Sequence, residues 1–352
     1  MNKKHIFSIL ECPDGYVIAD DVFSKYGSIV VCKNTIVNEY IRQKLINFKV
    51  DRVAVYKPTL PKNSVDNPKA AFIATKRKYL KGINSVKAII NDLAAGRELD
   101  YGKINEISDS LYENMNSNFA VIECLNQIKG ADEYTHSHCI NVSLYSMLIG
   151  RWLKLPEDDI KLLLDAGILH DVGKSKVPME ILNKRGHLTQ REFDVIKKHS
   201  VYGFEIIKDI PDMNEKVKSA VLMHHEKENG TGYPFGAKST GISYHTKIIS
   251  IADVFDALTS ERAYKNRLTP FDTFREFERI GIGEGYYDLG ILLTFLCNIS
   301  QYYIGSRVIM NTGKPGEIIY IPPHNISNPV VRVEDDYIDL SVRQDMKIAE
   351  ML

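Results

Sequence analysis

The chain has 352 residues, 44% of them hydrophobic and 26% charged, with 45 basic and 45 acidic side chains that cancel to zero net charge. That length predicts two or three units, one of them with a sizeable core. The balanced charge argues against a general polyanion binder, because a nucleic acid polymer would need a basic face.

At the start, Met1-Asn2-Lys3-Lys4-His5 leads into a short apolar run, Ile6 to Leu10, too short for a signal-peptide core. Residues 1–57 read as a small α+β unit. Its strand-like runs are Tyr16-Val17-Ile18, Ser28-Ile29-Val30-Val31 and Arg52 to Tyr56, punctuated by Asp14-Gly15 and Gly27. Between them Thr35 is expected to cap a helix running to Asn47, with Ile36, Tyr40, Ile41, Leu45 and Ile46 as its apolar positions. Residues 58–109 read as a linker, rich in proline from Pro58 to Pro68, followed by leading helices.

From about residue 70 to 305 nearly the whole chain carries helical period, with 110–305 read as one domain. Ile104, Ile107, Leu111 and Met115 make one apolar stripe, and Leu144, Tyr145, Leu148 and Trp152 another. Pro156 before Glu157-Asp158-Asp159 marks a helix start with acid in its first turn. Thr189-Gln190-Arg191-Glu192 is a capping box, and Thr269-Pro270 opens a helix expected to reach Ile280. Residues 306–352 change character. Arg307 to Met310, Glu317 to Ile321, Val330 to Val333 and Tyr337 to Leu340 are strand-like, with a turn from Gly313 to Gly316. The fold class is therefore mainly α, with a small α+β N-terminal unit and a short β-rich C-terminal tail. Five cysteines with no CxxC pair read as reduced thiols of a cytoplasmic protein. No apolar run approaches the roughly 18 residues of a membrane span.

Seven candidate metal ligands fall inside the helical block: His138, His170, Asp171, His199, His224, His225 and Asp253. His170 and Asp171 end an apolar helix and project about 100° apart around its axis, so one metal can sit between them. Asp253 lies in the otherwise apolar run Ile248 to Phe255, where an unpartnered carboxylate would be expensive to bury. Two divalent cations against two aspartates and five neutral imidazoles leave a site near +2, suited to hydroxide and an anionic phosphodiester. Mixed His and carboxylate donors favour iron, manganese, cobalt or zinc over magnesium or calcium. Two such ions sharing an aspartate lower the pKa of a bridging water and hold phosphoryl oxygens. Lys174 is placed to neutralise phosphate. Taken singly, each histidine reads more simply as a core or surface residue, Asp253 as a salt-bridge partner and Lys174 as a solvated charge. The joint pattern differs, because every candidate sits at or near a helix end or in an apolar helix.

The ordered set resembles the HD-GYP domain, a bacterial branch of the HD metal-dependent phosphohydrolases. It runs through Tyr134-Thr135, His138 with Asn141-Val142, Leu169 to Lys174, Leu188-Thr189 with Glu192, and His199. It continues through His224-His225-Glu226, the loop Asn229-Gly230-Thr231-Gly232-Tyr233-Pro234, Ala252 to Ser260, and Arg262, Tyr264 and Lys265. The resemblance implies a helical catalytic domain, residues 110–305, that hydrolyses cyclic di-GMP to pGpG or GMP through attack of a metal-bridging hydroxide. By family pattern His138, His170, Asp171 and Asp253 hold one metal. His199, His224 and His225 hold the second, with Asp171 bridging and iron or manganese preferred. Lys174 would sit beside the scissile phosphate, Arg262 and Lys265 at phosphate or guanine, and Tyr233 in a loop associated with the pocket and with docking of diguanylate cyclase partners. A homodimer is left open. Two departures stand out. Asn229 replaces the usual aspartate, which predicts altered loop hydrogen bonding. Tyr134 stands where some members place a third-metal glutamate, with Glu133 one residue off, which predicts two metals. A catalytically weak adaptor, another HD-type enzyme and a phosphodiesterase for hybrid cyclic GMP-AMP remain as alternatives.

Overall fold

The computed structural model describes residues 4–23, 29–31, 33, 35, 37–57, 68–115, 118–127, 134–184, 186–260 and 268–352, the side chains of 29, 68–71, 119, 127 and 134–136 excepted. The chain divides into two compact units. One joins Met1–Asp66 to Ile299–Leu352, and the other is Asn67–Asn298. The two sequence ends, read separately above, thus belong to one body.

In the first unit β1 (Lys4–Ser8), β5 (Arg52–Tyr56) and β2 (Val17–Ile18) form an antiparallel sheet with β5 central, and β3 (Val22–Phe23) pairs with β4 (Ile29–Val31). The C-terminal strands β6 (Arg307–Met310), β7 (Pro315–Tyr320), β8 (Val330–Val333), β9 (Asp336–Asp339) and β10 (Ile348–Met351) make a second sheet in the order β10-β6-β7-β8-β9. β1 and β10 were not foreseen. Ile18, Val31, Ile41, Leu45, Val53 and Val55 pack in the same core as Ile319, Tyr320 and Val330, which explains why neither end is a body of its own.

The helix of this unit, α1, spans Glu39–Asn47 and is capped by Asn38, not Thr35. Asn38 accepts from Ile41 N at 2.9 Å and donates its amide to Ile319 O at 2.9 Å. Thr35 instead lies outside the helix, its carbonyl accepting from Ile18 N. An asparagine satisfies an orphan helix donor as well as threonine does, and here its spare amide also ties the helix to a strand from the far end of the chain. Ile36, Cys32 and the proline-rich linker lie outside the described residues.

The second unit is helical. In order come α2 (Pro68–Ala94), α3 (Tyr101–Asn114), α4 (Asn118–Gln127), α5 (Tyr134–Trp152), α6 (Glu157–Leu169) and α7 (Met179–Leu182). Then follow α8 (Gln190–Lys197), α9 (His199–Ile207), α10 (Glu215–Met223), α11 (Tyr244–Thr259), α12 (Pro270–Phe277) and α13 (Leu289–Ser300), which runs into the boundary. The apolar stripes face inward: Ile104, Ile107, Leu111 and Met115 are buried, as are Leu144, Tyr145 and Leu148, while Trp152 at the end of the second stripe is half-buried. The box at Thr189 and Glu192 forms as expected, and Thr269 caps α12 with Pro270 in its first turn. α12 ends at Phe277, three residues short of the expected Ile280, and the chain continues in a wider π turn, Glu278–Gly283.

Helices α5 and α6 lie against each other because small residues meet. A Cβ on Gly167 would sit 2.4 Å from the Ser143 Cα. Gly173, in the 3-10 turn Val172–Lys176 after α6, is closer still, since its Cβ would fall 1.9 Å from the His199 carbonyl oxygen. These backbone approaches draw α5, α6 and α9 together at one place. Gly167→Ala is expected to destabilise the helical unit by about 3 kcal/mol, because backbone must move to admit the methyl. Urea unfolding followed by fluorescence of Trp152, the chain's single tryptophan, checks this; an unchanged midpoint would contradict the close packing.

Candidate metal centre

Three of the candidate ligands sit where helices end. His170 is the C-cap of α6 and His224 the C-cap of α10, while His199 follows Lys198, the C-cap of α8. Helix C-termini carry unpaired carbonyls and partial negative charge, so they favour a cation nearby. In each case Nδ1 faces the carbonyl three residues back: Gly167 O at 2.8 Å from His170, Ile196 O at 2.7 Å from His199, and Val221 O at 2.9 Å from His224. A carbonyl only accepts, so Nδ1 carries the hydrogen and the Nε2 lone pair is left to face inward.

Those inward nitrogens converge with two carboxylates. His138 Nε2 lies 3.1 Å from Asp253 Oδ1 and 3.5 Å from Asp171 Oδ2. His170 Nε2 is 3.3 Å from the same Asp171 oxygen and 3.3 Å from His138 Nε2. On the other side, Asp171 Oδ1 stands 3.3 Å from His199 Nε2, which is 3.2 Å from His224 Nε2. His225 Nδ1 approaches Asp253 Oδ2 at 3.8 Å. All seven expected ligands are thus brought together, with one oxygen of Asp171 toward each set of imidazoles.

This donor set fits metal ions. Two donors each about 2.1 Å from one ion stand about 3.0 to 3.4 Å apart, which is the spacing seen here. His199 and His224 make the point most clearly: both Nδ1 atoms are engaged with carbonyls, so two lone pairs face each other with no hydrogen between them unless a cation intervenes. Three groups can each hold an ion, namely His138, His170 and Asp171; His199, His224 and His225; and His170, His224 and Asp253.

The electrostatics agree. Burial would push the Asp171 carboxyl up, but the Lys174 ammonium beside it holds it well below the usual range. Asp253 is likewise held down against its burial by His138. Burial drives His224 well below its ordinary value, His225 down to about 3, and His199 down as well, so all three are neutral at pH 7 and ready to bind. Lys174 forms an ion pair with Asp171 Oδ2.

Two residues without an assigned role in the sequence reading complete the surroundings. Asp256, fully buried one helical turn after Asp253, accepts from His138 Nδ1 at 2.7 Å and from Asn141 Nδ2 at 2.9 Å. The signal was its i+3 spacing, which puts both carboxylates on one face of α11. Glu226, 2% exposed, accepts from Phe235 N at 2.6 Å and Ala237 N at 2.9 Å and so ties down the following loop.

That loop lies on a ligand. The Tyr233 ring stacks on His225 at 4.6 Å between centroids and 30° between planes, and Tyr233 N donates to His225 O at 3.2 Å. The Tyr233-Pro234 peptide is cis. Gly230 takes a positive φ of 80°, as a tight turn requires. Gly232 serves differently: its Cβ would come within 2.5 Å of Glu226 Cα and the His225 carbonyl. Asn229 accepts from Thr231 N and Thr231 Oγ and donates its amide to Glu284 O at 2.9 Å, a bond an ionised aspartate cannot make. Arg262, Tyr264, Lys265 and Glu133, with the side chain of Tyr134, lie outside the described residues.

Protons compete with metal here. Burial lowers the His138 pKa, but hydrogen bonds to Asp253 and Asp256 raise it to about 9, so the metal-free ring carries a proton on each nitrogen at pH 7. Metal binding at pH 7 is expected to release about one proton from His138, and affinity should rise with pH until about 9. Calorimetric titration in buffers of different ionisation enthalpy measures the released proton; affinity independent of pH between 7 and 9 would contradict the assignment of His138.

A family model described as HD domain matches residues 117–288. Over 264 residues the chain is 30% identical to the cyclic di-GMP phosphodiesterase PA4108 of Pseudomonas aeruginosa, covering 75% of this chain and 62% of that protein. It is 36% identical over 151 residues to a 3'3'-cGAMP-specific phosphodiesterase, number 3, of Vibrio cholerae, covering 42% of this chain and 33% of that one. The chain therefore spans less than two thirds of these relatives. Among solved structures, Bd1817, an HDG"Y"P protein of Bdellovibrio bacteriovorus, superposes with a TM-score of 0.54 over 83% of this chain and 98% of that one at 15% identity, a likeness of fold. Residues 117–288 thus match the HD domain family, and the seven candidate donors and the Gly-Tyr-Pro loop of that stretch carry the HD-GYP resemblance drawn from the sequence.

Proposed function

We propose that this protein is a metal-dependent phosphodiesterase that hydrolyses cyclic di-GMP to pGpG, or through it to GMP. The observation that carries the reading is the shared carboxylate: Asp171 offers Oδ1 to His199 and Oδ2 to His138 and His170. A carboxylate with imidazole donors on both sides suits two divalent ions. His138, His170, Asp171 and Asp253 would hold one, and His199, His224 and His225, with Asp171, the other. Such ions supply an acidified water and positive charge for the phosphoryl oxygens, and these donors favour iron or manganese.

The chain's other residues bind and orient. Lys174, already paired with Asp171, brings a positive charge to the place where phosphate charge develops. Tyr233, flat against His225, offers a wall for a base or sugar. Arg262 and Lys265 are assigned to phosphate or guanine by the family pattern. Hybrid cyclic GMP-AMP is the second substrate to test, favoured by the similarity to the Vibrio cholerae enzyme. Docking of diguanylate cyclases on the loop is a further reading, and among the described residues no helix is long and apolar enough to cross a membrane.

The test is incubation of protein reconstituted with manganese or ferrous iron with cyclic di-GMP, cyclic GMP-AMP and mononucleotides. Turnover of a cyclic dinucleotide is expected; binding without turnover in both metals would favour an adaptor, and activity on mononucleotides alone would overturn the proposal. Asp171→Ala is expected to lose both metal and turnover. Lys174→Ala should lower turnover by about 100- to 1,000-fold with metal content unchanged, and loss of metal from that variant would show that its role is different.

A further inference from the structure

Helix α2 precedes residues 117–288, yet one of its side chains reaches toward the metal centre. Thr75, Tyr79, Ile83 and Val86 form the buried face of α2. At Gly82 the helix comes close to α5, where a Cβ would be 3.3 Å from Ile140 Cδ1. Tyr79 is fully buried, and its hydroxyl lies 2.6 Å from Asn141 Oδ1. Asn141 Nδ2 lies 2.9 Å from Asp256 Oδ1, and Asp256 Oδ2 lies 2.7 Å from His138 Nδ1. Ser260 Oγ adds a second donor to Asp256 Oδ1 at 3.0 Å.

The direction of every hydrogen in this chain of bonds is forced. A carboxylate accepts only, so Asn141 must turn its NH2 toward Asp256. That leaves the Asn141 carbonyl facing α2, where only a donor satisfies it, and the Tyr79 phenol supplies one. At the other end the same carboxylate requires the hydrogen of His138 on Nδ1, which presents Nε2 to the centre. Without the phenol, the Asn141 carbonyl is a buried acceptor left unpaired, and Asp256 alone holds the amide in place.

We propose that Tyr79 is a positioning residue of the metal centre, acting through Asn141 and Asp256 to fix the tautomer and ring direction of His138. This rests on reading His138 as a metal ligand. A tyrosine that merely fills the core would help α2 pack, and its loss would act on the fold irrespective of Asp256. A tyrosine that acts through the chain of bonds loses its influence once Asp256 can no longer impose a direction.

A double-mutant cycle on the full chain separates these. Apoprotein is titrated with cobalt(II) against a competing chelator in wild type, Tyr79→Phe, Asp256→Asn and the double variant. Asp256→Asn is expected to weaken cobalt binding by about 10- to 100-fold. Tyr79→Phe should weaken it by about 2- to 10-fold and change the visible absorption of bound cobalt. Adding Tyr79→Phe to Asp256→Asn should change affinity by less than about twofold. Should Asp256→Asn fail to fold, the affinity and spectrum of Tyr79→Phe decide alone. Wild-type affinity and spectrum in Tyr79→Phe, or the same loss in both backgrounds, overturns the proposal. Wild-type protein that binds no cobalt overturns the reading of His138 and this proposal together, an outcome distinct from the other two.

Discussion

One buried carboxylate organises the helical unit. Asp171 is almost wholly withdrawn from water, 5% exposed, with imidazoles on both sides and an ammonium on one oxygen. A buried charge of this kind is tolerated only when positive charge and hydrogen bonds surround it. Everything around it meets that demand. Gly173 leaves room for the His199 backbone, Gly167 brings α6 onto α5, and α11 brings Asp253 to His138. The functional site and the tightest backbone packing are therefore one feature. Any residue larger than glycine at 167 or 173 would separate the elements that carry the donors.

Rigidity comes from the atoms facing away from the centre. His170, His199 and His224 use the same local device, with Nδ1 bonded to the carbonyl three residues back at a helix end. The device needs no partner from elsewhere in the chain, so each ring is oriented as soon as its helix forms. His138 is different. It lies in the second turn of α5, where the carbonyls behind it are engaged within the helix, and Asp256 of α11 takes its Nδ1 instead. His225 is held from outside by the ring of Tyr233 and a loop anchored on Glu226. Three of the candidate imidazoles are thus set locally, and two depend on tertiary structure.

The same division explains what could be read from the sequence. All seven candidate donors that the fold brings together were identifiable, because metal-binding chemistry narrows the search to residues such as histidine and aspartate. The capping box at Thr189 was legible for a similar reason, since its partners are three residues apart. Asp256 and Glu226 were in view as letters, but their roles depend on His138, Phe235 and Ala237, which only folding brings near. The Thr35 expectation failed because Asn38 serves two masters, Ile41 of its own helix and Ile319 some 280 positions later. The joining of both chain ends in one unit left no local trace, because Ile18 and Val330 are each ordinary strand residues until they meet.

The central claim is that Asp171 is shared between two ions. Anomalous diffraction from crystals of metal-loaded protein, collected on both sides of the metal absorption edge, tests it most directly. The account predicts two peaks, one beside Asp171 Oδ2 with His138, His170 and Asp253, the other beside Oδ1 with His199, His224 and His225. A single peak away from Asp171, or none at all in protein shown to retain its fold, would contradict it.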